Sequence, residues 1–517
     1  MRFRVPAQWS LASVMVAVVT AELIGCTRCG TPAQPAHGLA PLLSLLPRTA
    51  QAVFLVPRLR SLEPAIQRVE LLKLTTLASQ LQGFESGRDF LSAVMAQLGI
   101  DFSSPSALAK AGIDPEGAFA LVIPSGGEAY AVIPVQDAVR FHDALAELAR
   151  NRSGTSKGSP HPDLGFVARA GFAFVAGAAM VSELPRHAAI DAEQSLALEP
   201  SLTDALKQSG GASLAYAWLS PRFDWSSSWA PAGATLDLDV TSQQLRVRAH
   251  APWVTGSILS ALKVQPSSQS LLKYLPDDSF LVARFAGPPE RLGPMLQRLM
   301  GKAVDPVFDD VLANLSPGMI ASLSLSPTAV LSPMPVLDVR KSNPFHFFHF
   351  VALAPVRDRE KARQLLSQSP ALGSRMGVRI EERQEQGEKI FASTYALGEG
   401  AHLALVGQTA AIGAPLETLL HVVRRLKSPS NAAQGPLPDP KLRGELDGAA
   451  AMVIDLPRLA SSIRSLPTSS WGVGGFAIRG AALRWLTALE DLRGLSVHFS
   501  GSEQSLELEV ALHFAGT

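Results

Sequence analysis

Ala129-Tyr130-Ala131-Val132-Ile133-Pro134-Val135-Gln136-Asp137 returns in character as Phe350-Val351-Ala352-Leu353-Ala354-Pro355-Val356-Arg357-Asp358. Each copy is an apolar run of strand type closed by a proline. Each then offers an aspartate whose short carboxylate is placed to cap the first free N–H groups of a following helix. A strand leading into a capped helix, met twice in the same order as its neighbours, is the mark of a repeat, here with a spacing of about 230 residues.

The flanking matches extend the pattern. Leu45-Leu46-Pro47 followed by Ala52-Val53-Phe54-Leu55-Val56 recurs as Tyr274-Leu275-Pro276 followed by Phe280-Leu281-Val282-Ala283. Helix patterns follow both, with Pro64, Gln67 and Arg68 answered by Pro294, Gln297 and Arg298. Leu62, Ile66 and Val69 share one face of the first, and Leu292, Leu296 and Leu299 one face of the second. Ser61 stands where it would cap the first of these helices. Further on, Phe172 to Gly177 matches Leu403 to Gly407, and Ala215 to Arg222 matches Ala451 to Arg458.

Both copies end in alternating segments. Leu236, Leu238 and Val240 precede Leu245, Val247 and Ala249 in the first; in the second, Leu506, Leu508, Val510 and Leu512 follow a turn at Gly501-Ser502. Such alternation marks hairpin strands with one face on a core and one in water. The fold expected is therefore α+β: a tandem duplication of a module in which helices cover one face of a largely antiparallel or mixed β-sheet. Residues 41–255 form the first module, 256–270 a linker around Pro266-Ser267-Ser268-Gln269-Ser270, and 271–517 the second module.

The N-terminus carries an address. Arg2 and Arg4 precede an apolar run from Leu11 to Val19, which leads to Leu23-Ile24-Gly25-Cys26. A basic start, an apolar segment and small residues before a cut make an export signal over residues 1–25. The tetrad resembles the lipobox of bacterial lipoproteins, which implies cleavage before Cys26 and lipid on its thiol. Several acyl chains, at roughly 0.8 kcal/mol per buried methylene, hold a protein where one chain does not. Residues 26–40, polar and rich in Pro and Gly, then read as a flexible tether. Thr27 follows the cysteine, and by resemblance to enteric lipoproteins the lack of Asp there favours the periplasmic face of the outer membrane.

Cleavage would remove Arg2, Arg4 and Glu22 and take the formal charge of the 517-residue chain from +1 to zero. A neutral chain lacks the basic footprint of a nucleic-acid binder. With Cys26 lipidated, Cys29 is the one remaining thiol, so the fold must stand on its core without a disulfide.

The Leu-Pro openings, the Gly112-Ile113-Asp114-Pro115 turn into an apolar strand and the Pro-Val-x-Asp helix entries resemble bacterial envelope proteins of the DUF3352 type over most of residues 41 to 425. That resemblance implies an exported protein. It brings no catalytic residues.

Motifs with chemistry are thin. His346 and His349 lie three apart in a strand-like run, so they point to opposite faces and make no shared metal site. Gly154-Thr155-Ser156-Lys157-Gly158 lacks the Gly-Lys-Ser or Gly-Lys-Thr ending of a phosphate loop, and its Gly-x-Ser-x-Gly string, with Ser156 at the centre, lacks the strand-to-helix context of a nucleophile elbow. Gly472-Val473-Gly474-Gly475 is an incomplete nucleotide fingerprint. No cofactor and no metal is expected.

The remaining candidate is aromatic. Phe223, Trp225 and Trp229 sit in a serine-rich connection and Trp253 follows the first hairpin, either as packing within the protein or as a contact surface for a protein, lipid or glycan. The sequence thus points to a membrane-anchored envelope lipoprotein, a non-enzymatic binding or scaffold protein. A carrier or chaperone for apolar envelope molecules is one alternative; a hydrolase with a dispersed site is another.

Overall fold

A computed structural model describes residues 38–73, 75, 86, 89, 104–125, 128–153, 164–208, 213–220, 233–252, 269–291, 306–327, 347–375, 378–395, 398–428, 435–447, 450–467, 470, 475–501 and 505–515. The chain divides into two compact units, residues 1–254 with 516–517 and residues 255–515. Both are α+β.

Among the described residues of the first unit eight strands follow one another: β1 (Ala52–Val56), β2 (Phe119–Ile123), β3 (Tyr130–Pro134), β4 (Gly165–Arg169), β5 (Phe172–Ala176), β6 (Ala215–Leu219), β7 (Ala234–Val240) and β8 (Gln244–Pro252). Their order across the sheet is β4-β5-β3-β2-β1-β6-β7-β8, and every pairing is antiparallel. The first of these strands is thus central. Because successive side chains alternate faces, Val53 and Leu55 join one core while Val56 and the half-buried Phe54 join another.

Helices therefore lie on both faces, where the sequence pattern had pointed to one. The segment Leu39–Leu43 and the short helices between residues 178 and 208 cover the Val53 side, with Trp218, Tyr216 and Tyr130 buried among them. Leu62 and Ile66 of the helix Leu62–Leu71, Leu108, and Phe141 and Leu145 of the helix Ala138–Ser153 cover the other side. The cause is legible in the strands: AVFLV and FAFVA are apolar at every position, and a strand apolar on both faces needs cover on both. Each fully buried Leu or Val contributes about 1.5–3 kcal/mol relative to exposure.

The second unit carries β9 (Leu281–Phe285), β10 (Met319–Leu325), β11 (Phe348–Pro355), β12 (Arg379–Glu385), β13 (Glu388–Tyr395), β14 (Gly398–Glu399), β15 (His402–Val406), β16 (Thr409–Ala414), β17 (Ala450–Asp455), β18 (Leu492–Gly501) and β19 (Ser505–Phe514). The order is β12-β13-β15-β16-β11-β10-β9-β17-β18-β19, with the two-residue β14 also against β13, and all these pairings are antiparallel. Leu419, Val422 and Val423 of the helix Leu416–Lys427 cover one face, together with Leu437 and Leu442. Leu312 of the helix Pro306–Asn314, Ala362 of the helix Arg359–Ser367 and Leu466, just past the helix Leu456–Ser465, cover the opposite one.

The caps behave as their chemistry dictates. Asp358 accepts from the N–H groups of Glu360 (2.8 Å) and Lys361 (3.0 Å), and Asp137 from those of Val139 and Arg140 (both 3.1 Å). Ser61 does not cap: its hydroxyl donates to the Arg58 carbonyl within a short turn before the helix Leu62–Leu71. The second member of the Pro-x-x-Gln-Arg pair, at 294–298, lies outside the described residues.

Two sequence matches fall differently in space. Phe172–Ala176 pairs with Tyr130–Pro134, whereas Leu403 to Val406 belong to β15, and β11 is instead paired by β16. Tyr216 lies opposite Leu55, and Ala451, not Met452, lies opposite Arg284. A slip of one residue exchanges the faces of a strand, and Tyr216 and Ala451 are the two that face the cores.

Candidate functional site

The last hairpin places polar groups where alternation placed leucines. Leu508, Val510 and Leu512 are half-buried, while Ser496 and Ala511 are fully buried and His513 is 7% exposed. The reason is the cover. The short helix Pro440–Gly444 and the Glu445-Leu446 that follow it lie over the small-residue face, where a side chain at Gly494 would stand 2.8 Å from Leu442 Cδ2. Small residues let the helix approach, and the polar groups among them are sealed in with it.

These groups converge from three elements. Asp439 caps the short helix by accepting from the Lys441 N–H at 2.9 Å, which fixes where the chain leaves it and sets Glu445 over the hairpin. On β18 and β19 the register puts Ser496 opposite Ala511 and His498 opposite Glu509. Residues two apart share a face, so Ser496, His498, Glu509, Ala511 and His513 lie on one side. His498 Nε2 is 2.8 Å from Glu445 Oε2; Ser496 Oγ donates to the same oxygen at 3.1 Å and lies 2.9 Å from His513 Nε2. His513 Nε2 is 4.0 Å from Glu445 Oε2. The hydrogen bond from His498 outweighs the burial of Glu445 and, with His513 and Ser496 adding to it, holds the carboxyl below its ordinary range.

Serine, histidine and carboxylate in contact invite comparison with a nucleophilic triad, and the geometry answers it. Ser496 is wholly inaccessible, and Glu445 stands on the Nε2 side of His513, the side that meets Ser496, instead of behind Nδ1 where an orienting acid belongs. What the donors do match is a cation: one atom each from Glu445, His498 and Glu509 lies within 4.8 Å of the others.

The hairpin β7–β8 of the first unit carries fixed charges across its strands. Asp237 of β7 faces Arg248 of β8, whose Nε and Nη2 reach its carboxylate at 3.0 and 2.8 Å, and Ser213 Oγ donates to the same oxygen at 3.1 Å. This pair is complete in itself.

The residues singled out in the sequence lie elsewhere. Cys26, Phe223, Trp225, Trp229 and Trp253, together with His346, Ser156 and Gly472 to Gly474, fall outside the described residues. His349 lies in β11, half-buried; burial lowers its affinity for a proton, with Asp278, Glu417 and Glu399 acting against that. Sequence reading passed over Glu445 and the hairpin histidines. The one available signal was polar residues on the buried parity of an alternating strand, and Glu445 lies 53 residues from His498 with no motif linking them.

Among the described residues no helix is long and apolar enough to cross a membrane. No protein-family model matches the chain. No curated protein matches it. The resemblance to DUF3352-type proteins thus has no family match behind it. A solved structure of TP0453 aligns with 49% of this chain and 82% of its own, at 9% sequence identity and a TM-score of 0.26. A likeness at that level carries no argument about fold or function.

Proposed function

We propose that this protein is an envelope lipoprotein, held through lipid on Cys26 at the periplasmic face of the outer membrane, and that it serves as a non-enzymatic binding or scaffold protein. The observation that carries the proposal is Leu23-Ile24-Gly25-Cys26 at the end of a basic-then-apolar leader. The tether is residues 26–37, ending before the buried helix Leu39–Leu43, and Phe223, Trp225, Trp229 and Trp253 are the contact surface the protein presents to an envelope protein, lipid or glycan.

The same proposal includes a tandem duplication with its boundary in residues 256–270. Its support is positional. Leu55 stands eight residues after Pro47 and Arg284 eight after Pro276; following the ladders outward, Leu55 leads through Tyr216 to Asp237, and Arg284 through Ala451 to His498. In the other direction Leu55 leads through Ala120 to Val132, and Arg284 through Ile320 to Leu353, the pair already aligned in sequence. Unit-specific additions, above all the β12–β13 hairpin, account for the unequal lengths.

The carrier alternative draws no support from the cores, since among the described residues the helix-facing sides of both sheets are occupied by contiguous buried side chains. The test of the anchor is Cys26→Ser. The substituted protein should be exported, should lack the acyl mass on its N-terminal peptide, and should leave the membrane on high-salt and carbonate washing. Retention on the membrane after those washes would end the lipoprotein claim. For the binding role, the anchored protein should capture a defined envelope component above the Cys26→Ser control, and replacing Trp225 and Trp229 by Ala should reduce that capture.

A further inference from the structure

The paired hairpins differ in how they balance charge, and that difference points to a ligand. In the first unit Asp237 meets a guanidinium across the strands. In the second, the place of Asp237 is taken by His498 and the place of Arg248 by Glu509, with Glu445 brought in above them. Two carboxylates now share one partly buried face with two imidazoles. Arg284, in the same row, donates to the Leu446 carbonyl at 2.8 Å and meets Asp447 at 3.4 Å. Carboxylate and imidazole donors gathered on one half-buried face can supply the ligands of a cation.

We propose that Glu445, His498 and Glu509 bind a divalent transition-metal ion of the zinc type, with Ser496 and, behind it, His513 positioning the Glu445 carboxylate. The donor set suits such an ion, since imidazole nitrogen and carboxylate oxygen are its ordinary partners. Metal-to-ligand bonds near 2.0–2.2 Å place neighbouring ligand atoms about 3.3–3.5 Å apart in a tetrahedron. The observed separations are compatible with that value: His498 Nε2 is 2.8 Å from Glu445 Oε2, and one donor atom from each of the three residues lies within 4.8 Å of the others. Two ligands are already fixed by backbone, because His498 and Glu509 are cross-strand partners. Glu445 alone arrives from another element, and the Asp439 cap holds that element in place. The ion would close the ring between the short helix and the terminal hairpin in one coordination sphere.

The experiment is calorimetric titration of Zn²⁺ into the chelator-treated, untagged protein, in a Cys26→Ser, Cys29→Ser background so that thiols do not contribute. One saturable site is expected. Glu509→Gln and His498→Ala should each abolish it, and His513→Ala should weaken it by at least about 10-fold. Co²⁺ in place of Zn²⁺ should give the visible absorption of a tetrahedral site, lost in Glu509→Gln. That variant is nearly isosteric, and an unchanged circular dichroism spectrum would show that it folds. Stoichiometric binding that survives both Glu509→Gln and His498→Ala would overturn the proposal, as would an absence of saturable binding in the parent; the cluster would then be a hydrogen-bonded network and nothing more.

Discussion

Gly112 offers the sharpest test of how the strand-to-helix entry is built. Its φ is +77°, and a Cβ added there would fall against the Asp137 carbonyl oxygen and 2.6 Å from Phe141 N. Those atoms are the first turn of the helix Ala138–Ser153, tied by the Phe141 N–H to Asp137 carbonyl bond at 3.0 Å. Gly112 itself accepts from the N–H groups of Gln136 (2.9 Å) and Asp137 (3.1 Å). For Gly112→Ala the left-handed backbone alone costs roughly 1–2 kcal/mol. Relief of the clash requires the helix start to withdraw, at about 1 kcal/mol for each of the two bonds stretched or lost. The total expected is about 3–4 kcal/mol. Gly171 supplies the control: its φ is +82°, but nothing lies within 4 Å of an added Cβ, so Gly171→Ala should cost only the backbone share, roughly 1–2 kcal/mol. Urea unfolding read by tryptophan fluorescence and far-UV circular dichroism compares the two variants in the transition of the first unit. Equal destabilisation by both substitutions would refute the packing argument.

Two further outcomes follow from groups already placed. Asp358→Ala removes the acceptor of two helix N–H groups and should lower the stability of the second unit by about 1 kcal/mol, with Asp358→Asn close to the parent, as measured by the shift in urea midpoint. Burial depresses the proton affinity of His187, His349 and His421, reinforced at His421 by Arg425 and Arg424. The unfolded chain therefore takes up protons that the folded chain refuses, so this stability is complete above the unfolded histidine value of about 6.5 and is lost as pH falls through the lower folded values. Urea midpoints should drop across that window and His421→Gln should flatten the drop; a midpoint that rises on acidification through it would contradict the assignment.

Much of the framework was legible because it rests on local chemistry. Apolar runs at Ala52–Val56, Tyr130–Pro134 and Phe348–Pro355 announce strands, and Asp137 and Asp358 announce helix starts, each from a few adjacent residues. What local chemistry does not state is which strand lies beside which. The β12–β13 hairpin and its neighbours displaced the match at Leu403, and the pairing of Tyr216 with Leu55 decided a parity that residue similarity left one position out. The polar cluster escaped for the same reason. His498, Glu509 and His513 read as solvent-facing positions until the segment ending at Glu445 is laid over them, and that contact is set by Gly494 and Ala511 being small.

The central place of β1 has a consequence for the order in which the molecule can come into being. Its pairing with β6 joins Leu55 to Tyr216 across about 160 residues of chain, and β9 waits in the same way for β17. An early-made strand at the middle of a sheet keeps one edge unpaired until the late strand emerges, and contacts so distant in sequence are slow to form. During that interval the exposed edge is a site for wrong partners. A chain wired in this way can close each sheet only after nearly the whole unit has been made, and until then its central strand stands half-partnered.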